Sequence, residues 1–269
     1  MPFSGSSREG GNGEIATSPE SGTAIAVYNS FKSARPFCAK HGPSGWGGAR
    51  NRADRVSGSL SLAQAKNIIE AAQFAAAIGL PFNRHVTIHW ERAGVPDNRA
   101  AAATGRFLKL ASDWVAKRLP QLENNQRKSN RATQIAWAWV RENGDAKGSH
   151  VHILLHVPPN IITSEIRKQL GGLGGKQMRW LGSITGNPYR PGTIRTERIG
   201  GTVRAAVTAT AVYRANLAYV VGYITKGASL AAVRSLSLDR VEAGGEIIGK
   251  RAATSQNIGL AARSLKAAN

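Results

Sequence analysis

Two histidines one residue apart, His150 and His152, open the apolar run Gly148-Ser149-His150-Val151-His152-Ile153-Leu154-Leu155-His156-Val157. On a β-strand alternate side chains point the same way, so the two imidazoles stand together as a pair of metal ligands needs. Downstream, Tyr219-Val220-Val221-Gly222-Tyr223-Ile224-Thr225-Lys226 carries two phenols and an amine at i, i+4 and i+7. At about 3.6 residues per helical turn, all three share one helix face. Each segment also has a plainer reading. A strand can carry two polar residues on an exposed face, and tyrosines at helical spacing commonly pack in a core with their hydroxyls at its edge.

The elements that must position these groups follow from periodicity. Ser61 and Gln64 form a capping box before Leu62, Ala65, Ile68, Ile69, Ala72 and Ala76, which recur at helical spacing until Gly79 and Pro81. Arg84 to Trp90 alternates as a strand, with Val86 and Ile88 on one side and His85, Thr87 and His89 on the other. A second helix is expected over Ala100–Arg118, with Phe107, Leu110, Trp114 and Val115 inward and Pro120 as its end. Ala132–Arg141 alternates as a strand, Glu142–Gly148 turns it, and the histidine strand returns as an antiparallel partner. A third helix is expected over Thr163–Leu170, a helical turn at Gln177–Leu181, a strand over Thr193–Ile199 and the tyrosine helix over Val212–Lys226, stopped by Gly227. The fold class is therefore α+β: a central antiparallel sheet of four or five strands with helices on its faces, the histidine strand central and the tyrosine helix facing it.

The domain reading has three parts: a flexible basic arm over 1–58, a catalytic domain over 59–228 and a basic C-terminal extension over 229–269. The arm carries Arg35, Lys40, Arg50, Arg52 and Arg55, suited to lie along a phosphate backbone, and a short strand at Ala24–Tyr28. Across the chain 36 Lys and Arg face 16 Asp and Glu, a net charge of +20, which calls for a polyanionic partner, most often nucleic acid. There is no apolar run of transmembrane length and no secretory signal, so no membrane partner is expected. The single cysteine, Cys38, fits a reducing compartment and a cytoplasmic location. Cys38 with His41 makes only half a metal site. No Gly-x4-Gly-Lys-Ser/Thr segment occurs, so unwinding of a duplex would need a host helicase.

Taken together, His150-Val151-His152 and Tyr219-x3-Tyr223-x2-Lys226 resemble the HUH endonuclease superfamily, in the two-tyrosine form of its rolling-circle replication initiators. Val86-Thr87-Ile88 is a degenerate match to a further motif of that family, a strand ending in Thr. The likeness spans about Arg84 to Gly227, with metal strand and tyrosine helix in the family's order.

The resemblance implies a site-specific single-strand DNA endonuclease and transesterase. Its tyrosine attacks a phosphodiester and leaves a 5′-phosphotyrosine intermediate and a free 3′-hydroxyl, the primer for a host polymerase. It implies Mg²⁺ or Mn²⁺ held by His150, His152 and a third ligand, for which Glu142 stands first and His156 and Asp145 are the alternatives. It implies Tyr223 as the first nucleophile, Tyr219 as the second, and Lys226 as the cation that steadies developing negative charge. The substrate would be single-stranded or hairpin DNA at the replication origin of a plasmid or phage-like element. Arg195, Arg198, Arg204 and Arg214 are the candidate phosphate contacts, each also readable as a solvated surface charge, and Trp90, Trp137, Trp139 and Trp180 the candidate stacking platforms, with core burial the plainer reading for most of them. The alternatives are a relaxase or transposase of the same chemistry, and a non-catalytic basic DNA-binding protein such as a repressor.

Overall fold

A computed structural model describes residues 54–122, 135–144, 147–158, 161, 172–200 and 211–267. Most of the N-terminal arm, the short strand expected at Ala24–Tyr28, Cys38, His41, Asp145, Arg204 and the helix expected over Thr163–Leu170 lie outside the described residues.

The centre is a five-stranded, wholly antiparallel sheet in the order β5-β2-β4-β3-β7. Its strands are β2 (Arg84–His89), β3 (Ala136–Gly144), β4 (Gly148–His156), β5 (Ile194–Arg198) and β7 (Ala252–Thr254). The histidine strand β4 is the middle one. A two-stranded sheet pairs β1 (Val56–Ser57) with β6 (Ile247–Ile248). Six α-helices occur among the described residues: α1 (Leu62–Ala77), α2 (Asp97–Leu122), α3 (Gly172–Thr185), α4 (Ala211–Thr225), α5 (Leu230–Leu236) and α6 (Leu260–Ala267). The α+β class and the antiparallel sheet are as the alternation required.

Period-two alternation divides the core. On one face Ala136, Ala138, Val140 and Leu154 meet α1, α4 and α5 through Ile68, Ala72, Leu217, Val221, Ile224 and Ala232. On the other, Val86, Ile88, Trp139, Val151, Ile153 and Leu155 meet α2 and α3 through Phe107, Leu108, Val115, Trp180 and Leu181. Helix α1 starts as its capping box requires: the Ser61 hydroxyl accepts from the Gln64 N–H, and the Gln64 side-chain carbonyl accepts from the Ser61 N–H.

Several boundaries differ from expectation. Helix α2 runs two residues past Pro120, so this proline does not end it. Strand β3 continues through Glu142 to Gly144, so Glu142 is a strand residue paired with His150 rather than part of the turn. Gly148, at φ +61°, supplies the left-handed residue that lets the chain turn so tightly. Gly227 has no positive φ and so is not a left-handed cap. Its reason is space: an added Cβ would come within 3.0 Å of the Gly244 Cα.

Residues after Ala228 are not set apart from the sheet. They add β7 as an edge strand beside β3, and two buried arginines fasten them there. Arg141 donates to the carbonyls of Ile248 and Lys250 and pairs with Asp97, while Arg251 donates to Ser57, Gly244 and Gly245. A buried guanidinium persists only when its donors are used in this way.

Candidate active site

Cross-strand register fixes the site. Glu142 on β3, His150 on β4 and His89 on β2 form one row across the sheet; Val140, His152, Thr87 and Arg195 form the next. Directly paired residues project to one face, so Glu142 and both histidines converge. The Glu142 Oε2 lies 3.4 Å from His150 Nε2 and 3.6 Å from His152 Nε2. One ligand atom from each of the three residues falls within 4.8 Å of the others, and all three are buried.

Hydrogen bonding sets the ring tautomers. His150 Nδ1 lies 2.8 Å from the Gly148 carbonyl, which can only accept, so Nδ1 carries the proton and Nε2 is the free ligand atom. His152 Nδ1 lies 3.1 Å from Thr87 Oγ1 and 3.3 Å from His85 Nε2. The far side of His85 faces the Glu197 carboxylate, 3.7 Å from Nδ1. The carboxylate favours a proton on that nitrogen, leaving His85 Nε2 to accept from His152 Nδ1–H. His152 Nε2 then turns a lone pair toward Glu142.

Burial, His152 and Arg195 lower His85 to about 3, and burial likewise lowers His152, so both rings are neutral near pH 7. Burial alone would raise Glu142, but the polar surroundings made by His150, His152 and the Lys226 ammonium outweigh it and keep the carboxylate ionised. Glu142 Oε1 and His152 Nε2 are both buried without a hydrogen-bond partner. An ionised carboxylate between imidazole lone pairs, with two unused acceptor atoms, suits a divalent cation. A buried group that could bind a metal ion is thus present, with Glu142 as its third member. His156 does not belong to this group; its ring sits further along β4, with Nδ1 donating to the Pro81 carbonyl at 2.7 Å.

Helix α4 brings the tyrosines to the same face. The Tyr223 ring packs edge-on to His152, with centroids 5.0 Å apart, and 6.0 Å from His85. Lys226, just past the helix end, sits 4.9 Å over the Tyr223 ring and reaches Glu142 Oε2 at 3.0 Å. Tyr219 lies one turn away, 45 % exposed, and interacts with Arg240. Tyr223 therefore lies beside the histidine cluster and Tyr219 lies out at the rim.

Other expectations fare differently. Trp90, Trp139 and Trp180 are core residues on the opposite face of the sheet, so they are not stacking platforms. Trp137 is half-buried on that same far face. Arg195 is exposed on the site face and paired with Glu197. Arg198 is exposed in register with Arg84, so it projects to the other side, and Arg214 is exposed on α4.

Two residues of the site escaped the sequence reading. Arg240 stacks 4.9 Å over the Tyr223 ring, and Glu242 accepts from Lys226 Nζ at 2.7 Å. Neither has a local signal, because a loop beyond α5 delivers them. Thr87 and His85 did have one: the polar alternation of β2.

No family model, no curated protein and no solved structure matches this chain.

Proposed function

We propose that the protein is a metal-dependent enzyme that nicks and rejoins single-stranded DNA through a tyrosine nucleophile, as a replication initiator of a plasmid or phage-like element does. The observation that carries the reading is the convergence of Glu142, His150 and His152 with the Tyr223 ring and Lys226 on one face of the sheet.

Each residue has work in such a reaction. His150, His152 and Glu142 would hold Mg²⁺ or Mn²⁺; when bound, the cation neutralises a non-bridging phosphate oxygen and orients the phosphorus. The Tyr223 hydroxyl oxygen forms a bond to phosphorus and gives up its proton. The bond from phosphorus to the 3′-oxygen breaks, and that oxygen takes a proton to become a free hydroxyl. Lys226, one turn from Tyr223, lowers the cost of phenolate character on the attacking oxygen. Reversal rejoins the strand because the phosphotyrosine keeps the energy of the original diester. His85 and Thr87 act as positioning residues by holding the His152 tautomer. The strong net positive charge supports a polyanionic substrate.

The test is incubation of the full chain with labelled single-stranded DNA and Mn²⁺, with EDTA as the control. Metal-dependent cleavage that leaves a 3′-hydroxyl and protein on the 5′ end is the expected result. DNA binding without cleavage under any divalent metal would instead favour a non-catalytic DNA-binding protein.

A further inference from the structure

The loop after α5 places an acidic side chain where the proposed reaction needs an anion. Glu242 Oε1 accepts from Arg240 Nε and Nη2, both at 2.8 Å, and Oε2 accepts from Lys226 Nζ at 2.7 Å. Both cations also stack over the Tyr223 ring, each 4.9 Å from its centroid. The carboxylate thus presents two oxygens to two cations that flank the nucleophile of the proposed reaction. A phosphodiester carries the same single charge and also offers two non-bridging oxygens, so it could replace the carboxylate with no change in net charge. Arg supplies a two-pronged edge that matches either anion.

Glu242 is built to yield. Its side chain is 42 % exposed, whereas Glu142, the other partner of Lys226, is 3 % exposed. Its backbone N–H stays anchored to the Lys226 carbonyl at 2.9 Å, so the side chain can swing out while the loop holds. Its pair with Arg240 is exposed on both sides, and exposed ion pairs are weak, so that half of its hold is readily exchanged for another anion.

We propose that Lys226 and Arg240 form a phosphodiester-binding site beside Tyr223 and that Glu242 occupies it until a DNA phosphate displaces it. The assignment rests on the nicking reading for its choice of ligand. Arg240 is then a substrate contact, and Glu242 a built-in competitor that discriminates against weakly held anions.

Binding of a fluorescein-labelled oligothymidylate to the full chain in EDTA, across a potassium chloride series, tests this without any cleavage step. Glu242→Gln should bind about 2- to 5-fold more tightly than the parent, the range set by an exposed ion pair. Glu246→Gln removes the same charge from an exposed site four residues along and should gain less. Arg240→Gln should weaken binding and shrink the log–log salt slope by about 0.7, one single-strand phosphate contact. Arg240→Lys should restore that slope but not the full affinity, because the two-pronged edge is gone. Equal gains for Glu242→Gln and Glu246→Gln, or an unchanged slope in Arg240→Gln, would overturn the site. Tighter binding by Glu242→Gln in a protein that never cleaves would keep this site and remove the enzyme reading. Cleavage by a protein whose Glu242 and Arg240 variants bind as the parent would do the opposite.

Discussion

The two faces of β4 are made from one nine-residue strand and differ in almost every property. The odd positions, Val151, Ile153 and Leu155, are wholly buried against α2 and α3 among aromatic rings. The even positions hold His150, His152 and His156, with Leu154 between them as the one contribution to the other core. Both sides of β4 are buried, yet on this strand only one carries titratable side chains. A buried polar group is costly unless partnered. On β4 itself the far side avoids that cost with Val151, Ile153 and Leu155, whereas the near side faces an ionised Glu142, and Glu142 Oε1 and His152 Nε2 have no hydrogen-bond partner. The contrast teaches that this strand divides its labour, with purely apolar packing on one side and, on the other, a buried group that could hold a metal ion set beside a second core.

The widest separation should come from truncating the stabilising face. Trp90 is fully buried there and donates to Thr104 Oγ1 at 2.9 Å. Trp90→Ala should cost about 3–5 kcal/mol of unfolding free energy, read from urea titration, while the protein that remains folded binds Mn²⁺ as before. A loss of metal affinity equal to the loss of stability would show that the faces are not separable.

On the other face the expected pattern is reversed. Glu142→Gln should weaken Mn²⁺ binding about 10- to 100-fold, the scale on which supporting groups of metal sites act. Stability in EDTA should change much less than in Trp90→Ala, since Gln can still meet Lys226. Calorimetric titration showing parental affinity would move the third ligand away from Glu142.

That pairing shows what the sequence could and could not reveal. Alternation around His150 and His152, and the 3.6-residue spacing of Tyr219, Tyr223 and Lys226, are local patterns, so the sheet face and the helix face could be read directly. Glu142 was legible as a candidate because it precedes the histidines, but its pairing with His150 depended on how far β3 runs. Strand β7 was illegible: three residues, Ala252–Thr254, are too few to show alternation. The segment holds to the sheet through Arg141 and Arg251, which a reading by hydropathy places on the surface. Arg240 and Glu242 were missed for a related reason, since their contacts to α4 close across a loop. Core burial, the plainer reading of the tryptophans, holds for Trp90, Trp139 and Trp180, but ring type alone did not say which face of the sheet they would occupy.

A smaller, graded effect should sharpen the contrast between the faces. His85 falls to about 3 from an ordinary 6.5, chiefly through burial and then through His152 and Arg195. Between those values the unfolded chain binds a proton that the folded chain refuses. Its contribution to stability is therefore full above pH 6.5 and is lost as pH falls toward 3, by up to about 1.4 kcal/mol per pH unit. His89, His152 and His156 shift the same way, so unfolding measured in EDTA should become easier from pH 6.5 downward. His85→Gln should flatten that slope. An Ile153→Ala variant, which alters only the apolar face, should lower stability while leaving the slope unchanged.

The most direct measurement is to trap protein on a labelled single-stranded oligonucleotide in Mn²⁺ and map the modified peptide. On the proposed reading the first adduct should form on Tyr223, whose ring packs beside His152 and Lys226. Tyr223→Phe should then abolish it, His150→Ala combined with His152→Ala should abolish it, and Tyr219→Phe should leave it intact. An adduct confined to Tyr219, or one that persists without both histidines, would contradict the assignment of this sheet face as the catalytic one.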